Sequence, residues 1–165
     1  MKRLFTILFS ISILTAYCQD YQREIDNQVW KPFIASFNAL DTEAFMALHS
    51  KDLIRSLGDS KVILGWNEYF KNQQESDKRS KESGTKRVIE LRFIERISNS
   101  SQAVDIGIYK ATVSTNDGKS ASYSYYGRFH VVLRKESGTW KILVDSDSSK
   151  GTGGEPEFKN ASPLQ

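Results

Sequence analysis

The stretch from Pro32 to Phe70 constrains the fold more than any other part of this sequence. Its apolar pattern and its breaks predict a helix, a short second helix, a short extended segment, a turn and a third helix. A run of strands follows and ends at Asp145. We therefore predict an α+β fold in which three N-terminal helices cap a strongly curved antiparallel sheet. Such a cone usually encloses a pocket.

The first helix is predicted from an apolar stripe at intervals of three or four residues, formed by Ile25, Val29, Phe33, Phe37 and Leu40. We expect it to run from about Tyr21 to Leu40 and to bend near Pro32, because a proline inside a helix costs about 3 kcal/mol. Asp41 is a typical N-cap for the second helix. His49 is expected in the last turn of that helix, where a cation suits the helix dipole.

Four strands are predicted at 86–98, 102–114, 120–135 and 139–145 from alternating polarity and intervening turn residues. The turn at 116–118, Asn-Asp-Gly, is a strong hairpin signal. Gly107 and Gly127 fall in mid-strand, where glycine often marks a bend or a bulge. The charged stretch 75–86 contains no large apolar residue and indicates a solvated loop or a frayed helix end.

Residues 1–18 have the pattern of a secretory signal peptide. Lys2 and Arg3 precede an apolar run, and small residues stand at the −3 and −1 positions of a cleavage site after Cys18. The run is too short to span a bilayer, which needs about 20 residues. We predict a secreted or periplasmic protein whose mature chain has no transmembrane span. Lipoprotein anchoring at Cys18 is the alternative, disfavoured by the bulk of Tyr17, and an uncleaved anchor is another.

Residues 19–147 are predicted to form one domain, and the Gly-, Ser- and Pro-rich stretch 148–165 a disordered tail. The formal net charge is +3, to which Lys2 and Arg3 both contribute, so the mature chain is too balanced to indicate a nucleic-acid partner. Cleavage after Cys18 leaves no cysteine, and therefore neither a disulfide nor a thiol nucleophile.

The order of elements resembles the nuclear transport factor 2-like superfamily, and within it the SnoaL-like branch, as a secreted bacterial member. The resemblance rests on Phe37–Phe45, Leu48–Asp52, Gly65 with Tyr69, and Gly138–Asp145, and it extends from about Tyr21 to Asp147. It implies the cone fold. It does not imply one function, because the superfamily includes isomerases, cyclases, dehydratases, epoxide hydrolases and many non-catalytic binders.

Ketosteroid isomerase chemistry needs a carboxylate base and two donors that hold the enolate oxygen. In an alignment by eye, the donor tyrosine of that family falls on Phe33, the base near Leu57 and the acid donor near Arg128 or Phe129. Phe33 and Leu57 cannot transfer a proton, and Asp59 would reach the base position only through a bulge. We therefore do not expect isomerase activity of this type.

Candidate acid–base residues are His130, Asp105 and Tyr109, although each also fits an ordinary position on a strand. The predicted ligand contacts are Phe33, Phe37, Leu57, Trp66, Tyr109, Tyr123, Tyr125 and His130. Tyrosines on a concave sheet supply an apolar wall with hydroxyl groups, and plain strand packing is the alternative. Asp145 and Asp147 close the last strand, where solubility explains them as well as catalysis does. We predict no metal, because His49 and His130 lack a matched carboxylate spacing, and we also predict no cofactor.

Three function classes remain open. The favoured hypothesis is a secreted or periplasmic domain that binds a small apolar or amphipathic ligand without catalysis, as a homodimer through the sheet face. The first alternative is a polyketide cyclase-, dehydratase- or isomerase-like enzyme with an Asp/His/Tyr pocket. The second is a non-catalytic dimerisation or adaptor module whose cone is filled by its core.

Overall fold

The structure, a computed structural model, describes residues 21–115, 122–151 and 153–164. The predicted signal peptide and the predicted turn at 116–118 lie outside the described residues. Helix α1 consists of an α-helical turn at 21–25, a π-helical stretch Asp26–Trp30 and an α-helix Lys31–Ala39. The π-helical stretch directly precedes Pro32, which has no N–H to donate, so the helix continues through the proline with a widened turn.

Three short elements and one long helix follow α1. Helix α2 spans Thr42–Met46, and the Asp41 side chain caps it by accepting from the Ala44 amide, as predicted. Strand β1 spans His49–Leu57, strand β2 Val62–Leu64 and helix α3 Trp66–Glu82. No helix in the described ranges is both long and apolar enough to cross a membrane.

One local prediction in this region is wrong, and a second is right only in part. His49 begins β1 instead of ending α2, because its backbone joins the sheet opposite Ile142 of a later strand. The stretch 75–86 is helical up to Glu82, because α3 buries Gln73 and Asp77 on its inner side while its charged residues form ion pairs one turn apart on the other.

The sheet contains four long strands, β3 (Thr85–Ser98), β4 (Gln102–Thr115), β5 (Tyr123–Glu136) and β6 (Thr139–Ser148). These four pair antiparallel in chain order, as predicted. The complete order is β2-β1-β6-β5-β4-β3-β7, and β1 lies parallel to β6. The sheet is therefore mixed, because the long connection through α3 and the meander brings β6 alongside β1 in the same direction.

The concave face of this curved sheet forms the core with α1 and α2, and it carries Ile89, Leu91, Phe93, Phe129 and Leu133. Gly107 and Gly127 let the rings of Phe129 and Tyr109 lie flat on this face. A Cβ on Gly107 would come within 2.4 Å of the Phe129 ring, and the register of β3 shifts at Phe93, which pairs with Gly107. This irregularity near Gly107 agrees with the sequence prediction and contributes to the curvature.

The prediction of a disordered tail is wrong for residues 153–164. Helix α4 spans Glu155–Asn160, and strand β7, Ser162–Pro163, pairs with Arg92 and Phe93 at the edge of β3. Phe158 is buried against the outer face of the sheet, with its ring 5.6 Å from that of Tyr126. A single buried aromatic residue thus anchors a segment whose Gly- and Ser-rich beginning suggested disorder.

Candidate functional site

A cavity of about 440 Å³ lies between helices α1 and α3 and the concave face of the sheet. Most of its wall is apolar, and its aromatic lining consists of Trp30, Phe33, Phe37, Phe45, Tyr69, Tyr109, Tyr125 and Phe129. At one end the wall is polar and partly exposed, with Ser76 and Ser80 from α3 and Thr85 and Arg87 from β3. The cavity is therefore amphipathic and opens beside the C-terminal half of α3.

Five of the eight predicted ligand contacts line this cavity: Phe33, Phe37, Leu57, Tyr109 and Tyr125. They come from α1 and from three strands that are distant in the sequence. Phe33 and Phe37 lie one turn apart with parallel rings 6.3 Å from each other. The helix period and the strand alternation used in the sequence analysis bring these five residues to one site.

The other three predicted contacts do not line the cavity. Trp66 stacks on Phe70 near the start of α3, and the ammonium group of Lys51 lies over its ring. Tyr123 is 61% exposed and lies beside Tyr125 near the end of the sheet. His130 is exposed on the outer face, because it alternates with the inward-facing Phe129 and Val131.

Asp105 lies outside the cavity, in a buried network behind Trp30. The Trp30 indole N–H donates to its Oδ2 at 2.7 Å. Arg96 donates to both Asp105 oxygens, each at 3.1 Å, and to Asp26 at 2.6 Å. Burial raises the pKa of Asp105, although Arg96 opposes the shift. Since this carboxylate is enclosed by protein donors, its evident role is structural.

A second network of two carboxylates and one arginine forms part of the cavity wall. Arg55 on β1 donates from Nη1 to Asp145 at 3.4 Å and from Nη2 to Asp147. The register pairs Arg55 with Asp145, and the spacing of two residues places Asp147 on the same face of β6. The Tyr109 hydroxyl donates to Asp147 at 3.1 Å.

The two carboxylates of this wall have pKa values shifted in opposite directions. Burial works to raise the pKa of Asp145, but Arg55, His49 and Tyr69 outweigh it, so the value lies below the usual range. Burial raises the pKa of Asp147 more than Arg55 lowers it, and the charge of Asp145 adds to the rise. Asp147 is therefore the group that takes up a proton first as the pH falls.

Two buried nitrogen atoms beside these carboxylates have no hydrogen-bond partner among the described residues: Nε2 of His49 and Nε of Arg55. Nδ1 of His49 lies 3.0 Å from the Phe45 carbonyl oxygen and donates to it. Nε2 then faces Asp145 Oδ2 at 3.7 Å, which is longer than a hydrogen bond. The polar wall of the cavity is thus incompletely satisfied by the protein's own groups.

Within residues 21–115, 122–151 and 153–164, no three His, Cys, Asp or Glu side chains are grouped so that they could hold a metal ion. Asp145 and Asp147 are bridged by Arg55, and a guanidinium has no lone pair to offer a metal. The chemistry available on this wall is hydrogen bonding, charge compensation and proton transfer.

Arg55 and Tyr69 are site residues that the sequence patterns do not predict, and for Asp145 and Asp147 those patterns fit solubility and catalysis equally well. One signal was available, because aspartates two residues apart on a strand must share a face. The face was not predictable, since it depends on the register of β6 against β1. Arg55 and Asp145 are 90 positions apart in the chain, and no local pattern connects them.

No protein-family model matches the chain, and no curated protein sequence matches it. Solved structures with a similar fold do exist. A nuclear transport factor 2-like superfamily protein from Salmonella enterica serovar Typhimurium is 17% identical, with a TM-score of 0.65 over 84% of this chain and 97% of that chain.

Two further solved structures have a similar fold. A candidate dehydratase of the nuclear transport factor 2-like family from Streptomyces avermitilis is 12% identical, with a TM-score of 0.66 over 81% of this chain and 99% of that chain. A nuclear transport factor 2-like protein of unknown function from Shewanella oneidensis is 19% identical, with a TM-score of 0.58 over 73% of this chain and 93% of that chain. At such identities the likeness concerns the fold, and the chain has the nuclear transport factor 2-like fold that its sequence motifs predict.

Proposed function

We propose that the protein binds a small, largely apolar molecule in the cavity between its helices and its sheet. The observation that carries this proposal is the cavity itself, about 440 Å³ with a mostly aromatic and aliphatic wall. This volume lies in the range of ordinary small-molecule sites, which combine apolar walls with a few polar groups that fix orientation. The Arg55–Asp145–Asp147 network supplies such groups, and its unpartnered nitrogens support a ligand or ordered water beside it.

A thermal-shift screen with small apolar and amphipathic compounds tests this proposal, because a ligand that binds only the folded state raises the melting temperature. Ala111 lines the cavity and is buried, so Ala111→Phe should fill the space and abolish the shift. Ala35 lies exposed on α1, and Ala35→Phe serves as the matched control that keeps the shift. Equal ligand-induced shifts in wild type and in folded Ala111→Phe would exclude the cavity as the binding site.

Export from the cytoplasm is part of the proposal and rests on residues 1–18. The basic start, the apolar run and the small residues before Gln19 support it. Mass spectrometry of the exported protein should give an N-terminus at Gln19 without a lipid. A diacylglyceryl mass on Cys18 would instead establish the lipoprotein alternative, and an uncleaved chain in the membrane fraction would establish the anchor.

A second candidate function is acid–base catalysis of the dehydratase or isomerase kind. The observation that favours it is the opposite pKa shift of Asp145 and Asp147 on one cavity wall, since such separated values suit a base and an acid. Of the acid–base residues predicted from sequence, only Tyr109 lines the cavity. An enzyme at this site should lose about a hundredfold or more in rate in Asp145→Asn and Asp147→Asn, and nothing in His130→Ala.

A homodimer through the outer face of the sheet is a further part of the proposal. Five aliphatic residues lie side by side across five strands in one row: Ile54, Val144, Val132, Val104 and Ile97. Ile54 and Ile97 are 48% and 57% exposed. A continuous apolar row of this kind suits a second copy of the same surface.

Light scattering should therefore give the mass of a dimer for the wild type. Val104→Glu places a charge within the row and should give monomers. Thr112→Glu, on the same face of β4 but outside the row, should leave the dimer intact. A monomeric wild type at micromolar concentration would contradict this part of the proposal.

A further inference from the structure

The charged groups that contact one another on the cavity wall do not balance. Asp145 and Asp147 carry two negative charges when both are ionised, and Arg55 is the one cation of the described residues that forms a salt bridge to each of them. The other arginine lining the cavity, Arg87, is bound to Asp77 at 2.5 Å, and its charge is therefore compensated. A net negative charge beside an apolar wall is costly, because a partly buried charge loses part of its hydration.

Tyr109 on β4 and Tyr125 on β5 have pKa values that are raised in part by the same negative charge. The pKa of Tyr109 is raised, first by burial and then by the charges of Asp147 and Asp59. The pKa of Tyr125 is also raised by burial and by Asp147, with Arg87 as the opposing charge. Burial is thus the main cause of both shifts, and the negative charge of Asp147 adds to each of them.

The cavity wall next to the carboxylates is aromatic. Tyr69 lies beside Arg55, whose guanidinium carbon is 5.2 Å from the centre of its ring. Tyr109 and Tyr125 stand edge to face with ring centres 6.2 Å apart. Rings of this kind attract a cation over their faces, by about 0.5–2 kcal/mol depending on exposure. The site therefore offers two carboxylates and several aromatic faces to a ligand that carries a positive charge.

We propose that the cavity selects small amines: ligands with an apolar body, held by the aromatic wall, and one ammonium group, held by Asp147 and the neighbouring tyrosine rings. This proposal rests on the proposed binding function and names the chemical class of the ligand. Asp147 is the receiving group because its side chain is 25% exposed, whereas that of Asp145 is 10% exposed. Arg55 compensates one of the two negative charges, and the ammonium group would compensate the other.

His49 is the other titratable group that faces this network. A protonated His49 would compensate Asp145, which lies 3.7 Å from its Nε2, and Arg55 would then compensate Asp147. The wall therefore carries its net negative charge when His49 is neutral. Asp59 adds negative charge on the Tyr109 side, where Ser148, Ser149 and the Lys150 amide hold its carboxylate. In either protonation state of His49, Asp147 remains the more exposed of the two carboxylates.

Three probes with one skeleton test the proposal: 3-phenylpropylamine, 3-phenylpropan-1-ol and 3-phenylpropanoate. Isothermal titration calorimetry at pH 7 should show the amine binding at least tenfold more tightly than the alcohol, with the carboxylate weakest. In Asp147→Asn, which keeps the shape of the side chain, the preference for the amine should fall to within about threefold. Asp52→Asn removes an exposed carboxylate on the surface and should keep the full preference.

The other outcomes show whether the amine selectivity fails alone or the binding function fails with it. Equal binding of amine and alcohol by the wild type would overturn the amine selectivity and leave the binding function standing. An amine preference that survives in Asp147→Asn would overturn the assignment of the charge to this residue. Binding of none of the three probes would overturn the amine proposal, and a thermal-shift screen without any hit would then count against the binding function itself. Should Asp147→Asn fail to fold, the wild-type comparison of amine and alcohol still decides selectivity.

Discussion

Gly127 lies directly opposite Tyr109 on neighbouring strands, and the phenol ring covers the glycine. A Cβ at position 127 would come within 2.4 Å of the Tyr109 hydroxyl oxygen. The ring therefore lies flat on the sheet only because residue 127 has no side chain. In this position the Tyr109 hydroxyl reaches Asp147 on the cavity wall.

Gly127→Ala should displace the Tyr109 ring and lower the free energy of unfolding by about 1–3 kcal/mol, the usual cost of overpacking. Urea denaturation measures this change. Gly65→Ala is the matched control, because a Cβ there would have no atom within 4 Å. In a Tyr109→Ala background the cost of Gly127→Ala should largely disappear, and an undiminished cost would show that the two residues are not coupled.

Arg96→Leu should lower the free energy of unfolding by about 3–5 kcal/mol, because it leaves the buried carboxylates of Asp26 and Asp105 without their cation. Arg134→Leu removes an arginine that also pairs with two acidic groups, but at the surface. This control should change stability far less, since exposed pairs contribute little. Similar losses in the two variants would contradict the structural role of the buried network.

The helices and the antiparallel meander could be predicted from sequence because their signals are local. Each signal is formed by residues only a few positions apart in the chain. This holds for the apolar stripe of α1, for the Asp41 cap and for the alternation within each of β3 to β6. The parallel pairing of β1 with β6 has no such signal, because it depends on where a long connection returns the chain. The order in residues 153–164 was missed for a related reason, since it depends on one distant contact of Phe158.

The apolar part of the cavity was predictable, and its polar part was not. Phe33, Phe37 and Tyr109 belong to regular patterns that indicate a buried face. Arg55 looks like an exposed strand residue, and only the register of β1 against β6 reveals that it meets Asp145 inside the cone. Which charged residues meet inside such a fold thus depends on the register of strand pairing, and short-range sequence patterns do not determine that register.

Asp147→Asn should change the pH dependence of stability. The folded-state pKa of Asp147 is raised, so folding favours the protonated carboxyl group. The contribution of this group to the free energy of unfolding is therefore fully present below the unfolded-state pKa of about 3.9, and it is lost as the pH rises through the folded-state pKa. From pH 4 upwards the wild type should therefore lose stability relative to Asp147→Asn. Urea denaturation at several pH values between 3.5 and 7 measures the difference, and a difference independent of pH would contradict the raised pKa.

Phe158→Ala should lower the free energy of unfolding by about 3 kcal/mol, because the ring is buried between Tyr126 and Arg92 on the outer face. Hydrogen exchange should also quicken in β3 near Arg92, where β7 pairs. The exposed Lys159 lies next to it in the chain, and Lys159→Ala should leave exchange in β3 unchanged. Unaltered exchange in Phe158→Ala would mean that α4 does not hold β7 in place.

The pairing of β7 with β3 also has a consequence for the edge of the sheet. Without β7, the long strand β3 would present free N–H and C=O groups at the edge of the sheet, where another chain can add a strand. β7 follows every strand with which the described sheet is built, so a chain that folds without it leaves this edge open at Arg92 and Phe93. Loss of residues 153–164 should therefore uncover a strand edge and make the protein more prone to aggregation.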